Sequence, residues 1–283
     1  MHRTLRSAAA FPMLAGGLAI AWYREHARRQ GAERLAAATL ETLMNAIDAN
    51  DSVTGRHVRR TAAYSLCMGE ALGFSDAERR KLERVALFHD IGKIHAALFD
   101  IVHEQNRLTP AERTRIATHA QRGAEVLQPL AAFYPELPAG VLAHHERWDG
   151  HGYPNGISGE RIPIHARVVA VADTFDAITH SRRYHHGEGF DRGVAIIGEG
   201  RGTQFDPHLV DVFLSSEVLA HVRRTFEESS GDATPEPRRA QRADRRTEGA
   251  EDSVPDVRFR WRAPSTVSSE GAPPAEDGAP GSG

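Results

Sequence analysis

Helix-start signals recur along the middle of this chain, and they restrict it to an all-α fold. Ser75-Asp76-Ala77-Glu78 has the spacing of a capping box, in which the first and fourth residues satisfy each other's exposed backbone N–H groups. Thr109-Pro110-Ala111-Glu112 is a second box, with proline at the first helical position, where no hydrogen bond is lost. Asp206-Pro207 opens a third helix in the same way. Long β-branched runs are scarce, while Ala, Leu, Glu and Arg dominate the middle. With 40% hydrophobic residues in 283, the chain can bury a sizeable core.

These signals define the expected organisation. Arg3 and Arg6 precede an uncharged run from Ala8 to Tyr23, and Arg24, Arg28 and Arg29 follow it. The run is shorter than the roughly 20 residues that span a bilayer. Trp22-Tyr23 and the basic cluster suit an interfacial anchor better than a cleavage site. Residues 1–30 are read as that anchor, with a cleaved signal and a plain apolar helix as alternatives. Residues 8–23 would then tether a cytoplasmic domain to the inner membrane. Residues 31–50 read as a linker helix, with Leu35, Ala38, Leu43, Ala46 and Ile47 on one broad face. The main domain is expected over residues 41–225, interrupted by a Gly- and Pro-rich loop between Asp149 and Pro163. Residues 227–283 have too few apolar groups to offset their ordering entropy and are expected to be disordered. Within them, Arg258 to Arg262 reads as a solvated basic patch or a short docking motif. No internal repeat is present. A net charge of -3 makes no case for a nucleic-acid polymer as partner. The single cysteine, Cys67, excludes an internal disulfide or thiolate cluster and suits a reducing compartment.

The spacing of the 16 histidines carries more information than their number. His89 falls one turn after Val85 and Ala86, on the buried stripe of its helix, and Asp90 follows it. A buried aspartate costs several kcal/mol unless it is paired or bound to a metal. Taken alone, such a pair reads as a hydrogen-bonded structural contact. His119 lies beside Ile116, Ala120, Gly123 and Leu127, and His144-His145 end a short helix containing Val141 and Leu142. His57 stands in Thr54-Gly55-Arg56-His57, and Asp173 is set into the apolar run Val168 to Ala172. One explanation covers them all: a nitrogen- and oxygen-rich metal cage inside a helix bundle.

His89-Asp90-Ile91-Gly92-Lys93 and His144-His145-Glu146-Arg147-Trp148-Asp149-Gly150-His151-Gly152-Tyr153-Pro154 resemble the HD-GYP family of the HD phosphohydrolase superfamily. Ile162-Pro163 and Ala172-Asp173-Thr174-Phe175-Asp176-Ala177 extend the likeness, which runs in order over about residues 41–215. The resemblance implies an all-α helical bundle with a binuclear metal centre. It places His57, His89, Asp90 and Asp173 on one ion and His119, His144 and His145 on the other, with Asp90 bridging. Iron or manganese is favoured, and zinc also fits such ligands. Two ions would activate a bridging hydroxide and stabilise phosphoryl charge, so the implied activity is hydrolysis of a cyclic dinucleotide, foremost cyclic di-GMP to pGpG or GMP. Asp90 and Lys93 would carry catalysis, Lys93 as phosphate contact or proton donor. Substrate contacts would come from Lys93, Tyr153, Arg182 and His185. Protein partners through the Gly152-Tyr153-Pro154 loop or the tail, and a dimer, are compatible with the resemblance. The alternatives are another cyclic nucleotide as substrate, or a metal-containing adaptor with little turnover.

Three positions depart from the family pattern. Val53 stands where some members carry a metal-binding glutamate, so two ions are expected and not three. Arg182-Arg183-Tyr184-His185 replaces Arg-Pro-Tyr-Lys, exchanging a fixed charge for a pH-dependent one. His95 to Arg107 lacks the usual Ile-Pro-Asp and Lys-Pro-Gly pieces, which leaves one wall of the substrate pocket open to variation.

Overall fold

The computed structural model describes residues 10–94, 109–180 and 187–231. Helix α1 (Ala10–Asn50) is one continuous helix of 41 residues. The helix passes residue 30 without a break: Gly31 costs a helix only about 1 kcal/mol, and the good helix formers around it carry the helix through. From Thr42 onward the described residues form one compact unit, and α1 up to Glu41 belongs to another. No helix among the described residues is long and apolar enough to cross a membrane.

Helix α2 (Ser52–Ala71) starts on Asp51, whose carboxylate accepts the Val53 N–H at 3.0 Å. Helix α3 (Asp76–Phe88) starts on Ser75, which accepts the Glu78 N–H at 3.3 Å. The reciprocal half of that box is not made, because the Glu78 carboxylate turns to Lys81 at 2.5 Å and to His165 at 3.1 Å. A 3-10 turn, Ile91–Ile94, follows. In α4 (Pro110–Ala117) the Thr109 box closes in both directions. Then come α5 (His119–Leu127), α6 (Glu136–Ala143), α7 (Ile164–Thr179) and α8 (Phe190–Glu199). Asp206 caps α9 (Pro207–Phe213) by accepting the His208 N–H at 2.9 Å. Helix α10 (Ser216–Gly231) runs past residue 227, where the sequence analysis begins the tail. Ser229 is held there by the Phe226 carbonyl at 2.9 Å and by His180 at 3.0 Å. Residues 232–283, with the Arg258 to Arg262 stretch, lie outside the described residues. Among those described there is no strand, only an isolated bridge between Arg201 and Phe205.

Helix α2 is central, packing on α3, α7 and α10, while α3 also meets α6 and α5 meets α6. Tyr64, Met68, Leu82, Val85, Phe175 and Phe213 are fully buried between them. The Phe175 ring lies 5.2 Å from both Tyr64 and Phe213, edge-on to the first. A buried Arg84–Glu136 pair, 2.7 Å from Nε, ties α3 to the start of α6. At the other end of α6 the His144 ring lies 5.2 Å from that of His89, at the C-terminal end of α3.

Candidate metal centre

Five segments deliver side chains to one buried point. His57 comes from α2, His89-Asp90 from the end of α3, and His119 from the first residue of α5. His144-His145 follow α6, and Asp173 and Asp176 stand on α7. The ligand-capable atoms of His57, His89 and Asp90 lie within 4.8 Å of one another, as do those of His119, His144 and His145. Asp90 stands between the groups. Its Oδ2 is 3.7 Å from His57 Nε2 and 3.6 Å from His89 Nε2, while its Oδ1 is 3.3 Å from His119 Nε2. Asp173 Oδ1 completes the first group, 3.1 Å from His57 Nε2 and 3.7 Å from His89 Nε2. Val53 lies one turn before His57 in α2 and offers no ligand atom.

The outer nitrogen of most rings is already committed. Nδ1 of His89 is 2.7 Å from the Ala86 carbonyl, that of His119 is 2.7 Å from Ile116, and that of His144 is 2.6 Å from Val141. A carbonyl only accepts, so each Nδ1 carries the hydrogen and, in the neutral ring, each Nε2 presents a lone pair inward. His57 Nδ1 donates to Asp176 Oδ2 at 2.6 Å. His119 Nε2 and His144 Nε2 then face each other at 3.2 Å. Burial, reinforced by Lys93 for His119 and by His119 for His144, pulls both rings down to about 3, so neither brings a proton to share near neutral pH. Burial and then His144 push His145 well down too. His89 Nε2 and Asp90 Oδ1 have no hydrogen-bond partner, although their residues are 0% and 3% exposed. Each such atom costs about 1–3 kcal/mol unless something satisfies it. Converging imidazole lone pairs and carboxylate oxygens fit divalent cations, and hydrogen bonding within the protein leaves them unsatisfied.

The carboxylates are kept ionised. Burial alone would raise Asp90, but Lys93 and the surrounding imidazoles outweigh it and hold its carboxyl well below the usual range. Asp173 shows the same balance, with the His57 and His89 rings beside it overcoming burial. His89, pulled down by burial, ends up raised because Asp90 and Asp173 flank it.

These shifts have a consequence with a definite sign. Unfolded imidazoles take up protons below about 6.5, whereas folded His119 and His144 wait until about 3. The unfolded state therefore binds more protons in that window, and stability is lost as pH falls through it. His89 works in the opposite sense, one ring against three. The thermal midpoint of chelator-treated protein is expected to drop between about pH 7 and about pH 5. A flat profile would contradict buried, neutral rings.

Asp176, in the Ala172 to Ala177 stretch, stands behind His57. It is 0% exposed and accepts from His57, from Arg60 Nε at 2.6 Å and from a second Arg60 nitrogen at 2.9 Å. The signal was present: a second carboxylate three residues after Asp173 on an apolar helix, and an arginine three residues after His57. Asp176→Asn is expected to weaken metal binding about 10–100-fold while the helical signal is kept, read by calorimetric titration. Unchanged affinity would reduce Asp176 to a structural role.

On the solvent side, Lys93 Nζ lies 2.6 Å from Asp90 Oδ2, and its side chain is 21% exposed. The Tyr153 ring stands 4.8 Å from that of His145. The structure thus brings together His57, His89, Asp90, Lys93, His119, His144, His145, Tyr153 and Asp173. Arg182, His185 and the segment from His95 to Arg107 lie outside the described residues.

The model of the HD domain family matches residues 41–209. The cyclic di-GMP phosphodiesterase response regulator RpfG of Xanthomonas campestris is 38% identical over 62% of this chain and 47% of its own length. A probable cyclic di-GMP phosphodiesterase of Vibrio cholerae is 34% identical over 67% of this chain and 46% of its own. The 3'3'-cGAMP-specific phosphodiesterase 3 of the same organism is 36% identical over 57% and 35%. The chain spans about half the length of these curated relatives, or less.

Proposed function

Because this chain belongs to the HD domain family, with motifs of the HD-GYP type, we propose that it is a metal-dependent phosphodiesterase that hydrolyses a cyclic dinucleotide. The observation that carries this reading is Asp90, buried between two sets of inward-facing imidazoles with one oxygen toward each. His57, His89, Asp90 and Asp173 would hold one divalent ion, and His119, His144, His145 and the same Asp90 the other. Iron or manganese is our assignment for both. When bound, such a pair lowers the pKa of water and neutralises charge on phosphoryl oxygens.

The chain's own residues supply the rest. Lys93, within hydrogen-bond reach of Asp90, is placed to contact a phosphate oxygen or to give a proton to the departing ribose oxygen. Water attacks phosphorus, the bond to that ribose oxygen breaks, and a linear 5'-phosphorylated dinucleotide leaves. Arg182 and His185 would grip phosphate and base, as the family resemblance implies. Relatives named for cyclic di-GMP and for 3'3'-cGAMP both support a cyclic dinucleotide, and we assign cyclic di-GMP. The test offers cyclic di-GMP, 3'3'-cGAMP and cyclic di-AMP to the full chain, loaded with iron or manganese under reducing conditions. Cleavage of cyclic di-GMP to pGpG supports the proposal. Preferred cleavage of another nucleotide redirects the substrate, and tight binding without turnover makes the protein an adaptor.

The N-terminal part of α1 carries a second element of the proposal. Trp22 is 67% and Tyr23 69% exposed, with Arg24, Arg28 and Arg29 just beyond, a composition suited to the membrane–water interface. The intact protein is expected to pellet with membranes and a form lacking residues 1–30 to stay in the supernatant. Equal partition of the two would remove the anchor.

A further inference from the structure

His145 is held unlike the other rings of the centre. His89, His119 and His144 each donate Nδ1–H to the carbonyl three residues back, and His57 donates to Asp176. Among the described residues no such acceptor takes His145 Nδ1; its polar contact is through Nε2, to His119 at 3.2 Å. What meets its ring from outside the imidazole cluster is Tyr153, with centroids 4.8 Å apart and planes tilted by 31°.

We infer that the Gly152-Tyr153-Pro154 turn is a positioning element that seats His145 for its metal, an inference that rests on the metal-centre reading above. The turn folds straight back onto the backbone of the residues it supports. Tyr153 N–H donates to the His145 carbonyl at 3.2 Å, and Asn155 N–H donates to Glu146 Oε1 at 2.7 Å. Glu146 is 4% exposed, so this contact fastens the turn to the interior. The base of the loop is fixed as well, with Trp148 N–H on the Gln204 carbonyl at 3.1 Å and Asp149 N–H on Thr203 at 2.9 Å.

Glycine at 152 is what permits the close return. A Cβ there would lie 2.3 Å from Arg147 N, 2.6 Å from Glu146 Cα and 2.6 Å from the His145 carbonyl oxygen. All three are backbone atoms and cannot swing aside. Any larger residue must lift the turn from His145–Arg147 and carry the Tyr153 ring away with it. A ligand ring left free to rotate must be ordered on binding, and that ordering weakens the site. The Gly-Tyr part of the motif therefore does for His145 what carbonyls and Asp176 do for the other rings.

The test titrates the full chain with Co(II), read by its visible absorption, and total metal by mass spectrometry. The parent protein is expected to take two equivalents. Tyr153→Leu is expected to keep one at unchanged affinity and to bind the other about 10–100-fold more weakly, with helical signal and melting intact. Gly152→Ala should weaken the same ion and also lower the melting point, because its Cβ meets backbone. Tyr153→Phe should bind like the parent, because the ring and not the hydroxyl makes the contact. The inference is overturned if Tyr153→Leu binds both equivalents as the parent does, or loses both equally while still folded. A parent that binds two ions yet cleaves no cyclic dinucleotide would sink the proposed activity and leave this inference standing.

Discussion

Replacing Asp90 by alanine is expected to abolish binding of both metal ions and to reduce cyclic-dinucleotide hydrolysis to background. Asp90 Oδ2 faces the His57 and His89 nitrogens, and its Oδ1 faces that of His119. Alanine removes both oxygens at once. The first group would keep one carboxylate, Asp173, and the second would be left with imidazoles alone. Without a carboxylate shared by the two ligand groups, dications bound to both would repel each other unscreened. Lys93 would also lose the carboxylate that it meets at 2.6 Å. Metal content by mass spectrometry is the primary measurement, because activity could be lost for other reasons. Retention of two ions per chain in Asp90→Ala would refute the bridging arrangement.

Gly92→Ala is expected to destabilise the protein strongly. A Cβ on residue 92 would sit 2.1 Å from the His119 carbonyl oxygen and 2.7 Å from Gly123 N. Both belong to the backbone of α5, so relief requires moving the helix that carries His119. Overpacking a tight interior costs about 1–3 kcal/mol, and contact with backbone puts this variant at or above the upper end. The expected readout is a lower midpoint in urea at unchanged slope, together with weaker binding of the second metal ion. Parent-like stability and metal content would mean that α5 can slide on the 3-10 turn without cost.

Much of the site was legible because its parts are local. His89, His119, His144 and Asp173 each announced themselves as a polar side chain on an apolar helical stripe, a pattern visible within a few residues. Gly92 and Gly152 stood in quotable motifs, yet nothing in the sequence says which backbone each must approach. Asp176 was less legible still. It shares a helix and nearly a face with Asp173, and only the position of α2 separates their roles: Asp173 meets His57 at Nε2, Asp176 at Nδ1.

What the sequence by itself determined was the helical class, the capped starts of α3, α4 and α9, and the kinds of ligand atoms available. Those follow from spacing, capping chemistry and side-chain type, which act over a turn or two. Tertiary structure alone decided how the ligand atoms are grouped. It placed Asp90 between two histidine clusters, put Asp176 and Arg60 behind His57, and laid Tyr153 against His145. Each of these depends on how distant helices pack, and packing of α2, α3, α5, α6 and α7 around a shared core is not encoded in any one of them.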